Sequence, residues 1–113
     1  MKPGEVYLAN FPFGDAPGMK LRPVFVLTGP LGQVPEVLVA YISSVVPAAL
    51  LPTDIVIDPL TPEGSGTKLK VVSVLRLHKL ATIHQPNLVR FLGRGSPSLI
   101  SDVADRLRSM LGL

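Results

Sequence analysis

The chain has no cysteine, which excludes disulfides and thiolate metal sites and fits a reducing compartment. It has no carboxylate between Gly64 and Ser101, although Lys68, Lys70, Arg76, Lys79, Arg90 and Arg94 all fall there. Its eight acidic residues are scattered, and its two histidines, His78 and His84, stand on a stretch without a pattern. No set of them has the spacing of a metal-ligand cluster, so neither a metal nor another cofactor is expected. Gly64-Ser65-Gly66-Thr67-Lys68 lacks the glycine spacing and the strand-to-helix context of a phosphate cradle. No serine sits in a Gly-x-Ser-x-Gly elbow. The first residues, Met1-Lys2-Pro3-Gly4-Glu5, have no apolar leader core, which predicts a cytoplasmic protein. The one stretch apolar enough to raise a membrane question, Val34 to Pro52, holds Glu36, Ser43, Ser44 and three prolines. A pair of buried strands around a turn accounts for it better than a membrane span.

What is present is a short, strand-rich pattern. A chain of 113 residues predicts one domain with a single core, residues 1–113. Twelve prolines and ten glycines separate Val-, Leu- and Ile-rich runs, which favours a β-rich barrel over a helical bundle. Strands are predicted at Glu5–Phe11, Arg22–Thr28, Glu36–Ile42, Asp54–Asp58 and Leu69–Leu75, the first by its alternation. Leu80–Ile83 and Leu88–Leu92 read equally as short strands or one helical turn. Pro12–Leu21 and Pro59–Thr67 read as long functional loops, the second one mobile. Ser96-Pro97 starts a helix as N-cap and first residue; Leu99, Val103, Leu107 and Met110 form its apolar stripe, Asp102, Asp105, Arg106 and Arg108 its wet face, and Gly112 its end. The predicted fold is mainly β, five to seven strands rolled into a small barrel and closed by the C-terminal helix.

The net charge of +3 is mild, but the one-signed segment suggests an anionic partner. Arg22 stands at the rim of an apolar run, held extended by Pro23, with its donors outward as phosphate recognition requires. Ser43 and Ser44 end the EVLVAYI run. Arg76 and His78 are spaced by two, so an extended chain projects both to one face and Leu75 and Leu77 to the other. Arginine for a phosphate, serine as a further donor and histidine for proton transfer would suffice to cleave RNA without a metal, because RNA supplies its own nucleophile, the 2′-OH.

These residues lie in segments that resemble the MazF/PemK (Kid) toxins of bacterial type II toxin–antitoxin modules. The segments are GEVYLANFPF (Gly4 to Phe13), KLRPVFVLT (Lys20 to Thr28), VAYISS (Val39 to Ser44), LPTDIVID (Leu51 to Asp58) and SVLRLHKLATI (Ser73 to Ile83), in the family's order and spacing across nearly the whole chain. The resemblance implies an SH3-like small barrel and a homodimer with a cognate antitoxin as partner. It also implies a metal-independent endoribonuclease that leaves a 2′,3′-cyclic phosphate and a 5′-OH. It places the family's arginine before proline on Arg22, its Thr or Ser after the third strand on Ser43 with Ser44 beside it, and its later arginine on Arg76. His78 stands where the better-known relatives have aspartate, and a glutamate that some members carry falls on Pro17, with Asp15 a loose substitute.

The expected catalytic residues are therefore Arg22, Ser43, Arg76 and His78. Lys20, Ser44, Lys68, Lys70 and Ser73 are expected to bind single-stranded RNA. A dimer is also expected from so apolar a composition, with the C-terminal stripe as part of the contact. Two alternatives stay open: a non-enzymatic toxin of the same fold that poisons DNA gyrase, and an inactive barrel that binds RNA or protein.

Overall fold

The computed structural model describes residues 1–11 and 20–113, Phe11 by its backbone alone. Most of the first long loop, with Asp15 and Pro17, lies outside the described residues. The strands are β1 Glu5–Phe11, β2 Lys20–Val26, β3 Glu36–Ser43, β4 Asp54–Ile57, β5 Ser73–His84 and β6 Leu88–Arg94, with helices α1 Pro62–Ser65 and α2 Pro97–Leu111. They form one antiparallel sheet in the order β4-β5-β3-β2-β1-β6.

The sheet is covered on both faces, which is why EVLVAYI reads as a continuous apolar run. Val6, Phe25, Ala40, Ile42, Leu75 and Leu77 point to one side, where Leu99 and Val103 of α2 pack on them. Ala9, Val24, Val26, Val37, Val39 and Ile83 form a second cluster on the other. Helix α2 starts and stops where its capping residues dictate. The Ser96 hydroxyl accepts from the Leu99 amide at 3.0 Å, Pro97 occupies the first turn, and Gly112 ends the helix at φ 72°. Each buried side chain of its stripe contributes about 1.5–3 kcal/mol. Leu99 and Val103 are spent inside the chain, so of the stripe expected at an intersubunit contact only the half-buried Leu107 and Met110 keep exposed surface.

The sheet is rolled without being closed, since among the described residues β4 and β6 are its unpaired edges. Residues 64–67 fill the gap. The Arg94 amide donates to the Gly66 carbonyl at 2.8 Å, and a Cβ on Gly93 would fall 2.2 Å from that same oxygen. The expected mobile loop is therefore a packed plug. Thr61 caps α1 by accepting from the Gly64 amide, Gly64 is buried, and Thr67 is fully buried with its hydroxyl on the Gly64 carbonyl at 2.6 Å.

Three further expectations change. The segment from Leu69 is not a strand until Ser73, because Lys68 takes a left-handed backbone at φ 59° and turns the chain, burying Leu69 in the core. Strand β5 then runs on to His84 and absorbs Leu80–Ile83. Of the stretch Val34–Pro52 only β3 is a strand; Val45, Val46, Leu50 and Leu51 lie exposed in the connection that follows.

Candidate functional site

Sheet register decides which side chains share a face, because directly opposed residues point the same way. One row runs Tyr7, Val24, Tyr41, Arg76, Asp54 across β1, β2, β3, β5 and β4. In the neighbouring row Ala9 opposes Arg22, and Ser43 opposes Val74. Continuing the Val24–Tyr41 register by two residues sets Arg22 against Ser43. Lys20, two residues before Arg22, points to the same face. Arg22, Ser43 and Arg76 therefore lie on one face. The Arg22 side chain makes no hydrogen bond or ion pair with another described residue.

Arg76 is tied more firmly. Its Nε donates to Asp54 Oδ1 at 2.9 Å and its Nη2 to Oδ2 at 3.4 Å, the two-pronged geometry that arginine makes with a carboxylate. The Asp54 side chain is fully buried, and its Oδ2 also accepts from the Leu51 amide at 2.9 Å. Burial alone would raise the Asp54 carboxyl. The bond from Arg76, the Leu51 amide and the charges of Arg76 and His78 outweigh it and hold the carboxyl below its ordinary range.

His78 reaches this cluster by an irregularity. Tyr41 opposes Arg76 and Ala40 opposes Leu80, so Leu77, His78 and Lys79 have no partner on β3 and bulge from the strand. The Leu77 amide donates instead to the Thr53 carbonyl at 2.8 Å. A bulge re-aims side chains, and this one sets His78 Nδ1 2.8 Å from the Thr53 hydroxyl and 4.0 Å from Asp54 Oδ1. When Nδ1–H donates to that hydroxyl, the lone pair is on Nε2, the form a proton acceptor needs.

Ser43 and Ser44 part company. The Ser43 hydroxyl is held in a tight turn, accepting from the Val45 amide at 3.1 Å and donating to the Val45 carbonyl at 3.3 Å. Ser44 is exposed and lines a separate groove of about 560 Å³, together with Lys68, Lys70 and Ser73. The groove thus collects four of the expected binding residues, with Arg90 and Phe91 beside them. Ser73 itself is buried, and its hydroxyl donates to the Val71 carbonyl at 2.9 Å, so its contribution is to shape the wall. Among the described residues no group of three or more His, Asp or Glu could hold a metal ion.

Sequence reasoning missed Thr53, Asp54 and Arg106. Arg106 was expected to face water, yet its Nη1 donates to the carbonyls of Pro52 at 2.8 Å and Asp54 at 3.1 Å while its Nε holds Asp102 at 3.0 Å. The helix thereby grips the segment that presents Thr53 and Asp54. No local signal marks these contacts, because they depend on which strands lie side by side.

The same arrangement of strands and helix recurs in solved structures. The toxin MazF-mt6 from Mycobacterium tuberculosis superposes with TM-score 0.72 at 24% identity, with 96% of this chain and 97% of that one covered. An endoribonuclease in complex with its cognate antitoxin, from Mycobacterial species, gives 0.69 at 16% identity over 100% and 96%. MazF from Deinococcus radiodurans gives 0.66 at 16% over 99% and 96%. No protein of curated function matches by sequence. The model of the PemK-like, MazF-like toxins matches residues 2–111, and its span includes every described strand and the bulge at His78, leaving out only Met1 and the last two residues of the chain. The chain thus belongs to the PemK-like, MazF-like toxins of type II toxin–antitoxin systems.

Proposed function

We propose that this protein is an endoribonuclease toxin that cuts single-stranded RNA, cellular mRNA above all, without a metal. The observation that carries the reading is the shared face of Arg22, Ser43 and Arg76, with His78 and Arg76 drawn together at Asp54. The 2′-oxygen gives its proton to His78 Nε2 and forms a bond to phosphorus; the bond from phosphorus to the 5′-oxygen breaks, and that oxygen takes up a proton. The products are a 2′,3′-cyclic phosphate and a 5′-OH. Arg22 neutralises the charge that builds on the phosphoryl oxygens, and Ser43, its hydroxyl turned from the Val45 carbonyl to the phosphate, donates a further bond. Arg76, fixed by Asp54, presents its remaining donors near the leaving oxygen. Lys20, Lys68, Lys70 and Ser44 bind the strand, which single-stranded recognition by cations and pockets allows.

A cytoplasmic site of action suits this substrate, and no described helix is long and apolar enough to cross a membrane. The structural similarity to a mycobacterial endoribonuclease held by its cognate antitoxin supports both the activity and a protein antitoxin as partner. A homodimer is part of the proposal, with Val45, Val46, Leu50 and Leu51 as the exposed apolar surface available for it. The deciding experiment incubates purified protein with mixed-sequence single-stranded RNA in EDTA and maps the ends. Cyclic-phosphate and 5′-OH ends are expected. Ends bearing a 5′-phosphate, or cleavage that chelation stops, would overturn the mechanism, and no cleavage at all would return the inactive barrel.

A further inference from the structure

The bulge in β5 turns a further cation onto the face of Arg22, Ser43 and Arg76. Strict alternation would send Lys79 to the side of Leu75 and Leu77. In the structure Leu77 is fully buried and Leu80 packs against the same core, so the two residues between them, His78 and Lys79, both leave on the other side. Lys79 is exposed, and its Nζ stands over the Tyr41 ring, 5.7 Å from the ring centre. It makes no hydrogen bond or ion pair with another described residue. Tyr41 opposes both Arg76 and Val24 and precedes Ser43 by two residues, so its ring, with the ammonium on it, belongs among the proposed cleavage residues.

The ring contact fixes where the ammonium rests without tying it to a carboxylate. The attraction of a cation to an aromatic face is weaker than a charge-assisted hydrogen bond to a phosphate oxygen, so one can be exchanged for the other. Two residues of strand span about 7 Å. Lys20 lies that far from Arg22 in one direction along β2, and the Val24–Tyr41 row lies that far in the other. RNA with its scissile phosphate at Arg22 then meets a second cation on each side.

We propose that Lys79, resting on Tyr41, binds the phosphate next to the scissile one, on the side of Arg22 away from Lys20. The inference rests on the ribonuclease reading and adds a phosphate subsite to it. A charge contact to a phosphate that does not react is made alike in the bound substrate and in the transition state. It therefore tightens binding and leaves the chemical step alone.

The test uses 2′-fluoro RNA, which lacks the nucleophile, with one phosphate at a time made neutral as a methylphosphonate. Affinity is read by fluorescence anisotropy, and the cut site of natural RNA fixes which phosphate is scissile. The wild type is expected to lose about tenfold in affinity at the phosphate beside it, as removal of a hydrogen bond to a charged group does. Lys79→Gln keeps the stem and drops the charge. It should bind the unmodified oligomer about tenfold more weakly and be indifferent to that one position. Its salt dependence should be shallower by about 0.7, the step for one phosphate of a single strand. Lys79→Arg should keep the preference, since a guanidinium also rests on a ring and pairs with phosphate. On cleavable RNA, Lys79→Gln should raise KM with kcat near that of the wild type.

The same methylphosphonate profile and salt slope in wild type and Lys79→Gln overturn the subsite and leave the ribonuclease reading standing. A fall in kcat with KM unchanged overturns it as well, by moving Lys79 to the leaving oxygen. Wild-type protein that binds no oligomer and cleaves no natural RNA overturns the ribonuclease reading itself.

Discussion

The Arg22 side chain has no acidic partner among the described residues, whereas Arg76 is pre-set by Asp54, and the two should respond differently to substitution. Arg22→Ala is expected to lower the cleavage rate by roughly two orders of magnitude, as removal of one charge-stabilising donor does. Arg22→Lys should recover little, because an ammonium cannot copy the planar fork. Near-normal rates in both folded variants would reduce Arg22 to a surface charge. Thr53 is expected to act through His78. His78→Ala should slow cleavage by about two to four orders of magnitude. Thr53→Val should lower kcat with KM unchanged, Thr53→Ser should restore it, and Thr53→Val added to His78→Ala should cost nothing more. Equal losses in both backgrounds would place the effect of Thr53 elsewhere. Asp54 governs stability in acid. Its carboxyl sits below the ordinary value in the folded chain, so its contribution is fully present above an unfolded pKa of about 3.9 and is lost as pH falls through the folded value. Asp54→Asn should cost about 1–3 kcal/mol near neutrality, and its stability should fall less steeply than the wild type's below about pH 4. Parallel urea-midpoint curves for the two proteins would contradict this.

At the scale of elements, the plug between β6 and β4 is the feature most open to a single substitution. A Cβ on Gly64 would sit 2.1 Å from the Asp58 carbonyl oxygen, a backbone atom with no freedom to turn away. Gly64→Ala is expected to destabilise by about 1–3 kcal/mol, readable as a lowered urea midpoint; an unchanged midpoint would mean that the plug is loosely held. The Thr61-Pro62-Glu63 start of that helix was legible as a cap and first turn, but the glycines around it read more loudly as a loop. Strands β1, β3 and β4 and helix α2 were legible because alternation and capping are local. Strand β5 was not, since the left-handed Lys68 delays its start and the bulge at Leu77–Lys79 carries no signature of its own. The candidate site divides the same way. Arg22, Ser43, Arg76 and His78 announce themselves by residue type and by the family pattern. Thr53 and Asp54 become partners only when β4 lies beside β5, which brings Thr53 to His78 25 positions on and Asp54 to Arg76 22 positions on.

For the molecule as a whole, the apolar connection after β3 predicts the assembly. Sedimentation should give a mass of two chains, and Val45→Asp with Leu50→Asp should shift it to one, whereas a wild-type monomer at every concentration would exclude the dimer. Arg106 carries a different consequence. One guanidinium on the last helix holds two carbonyls at the head of β4, and those carbonyls flank the dipeptide that orients His78 and Arg76. On the proposed mechanism, the terminal helix would therefore work as a latch on the reacting groups and not merely as a lid on the core. If that mechanism holds, a partner that lifted the helix would disarm cleavage without touching a single residue proposed to meet RNA.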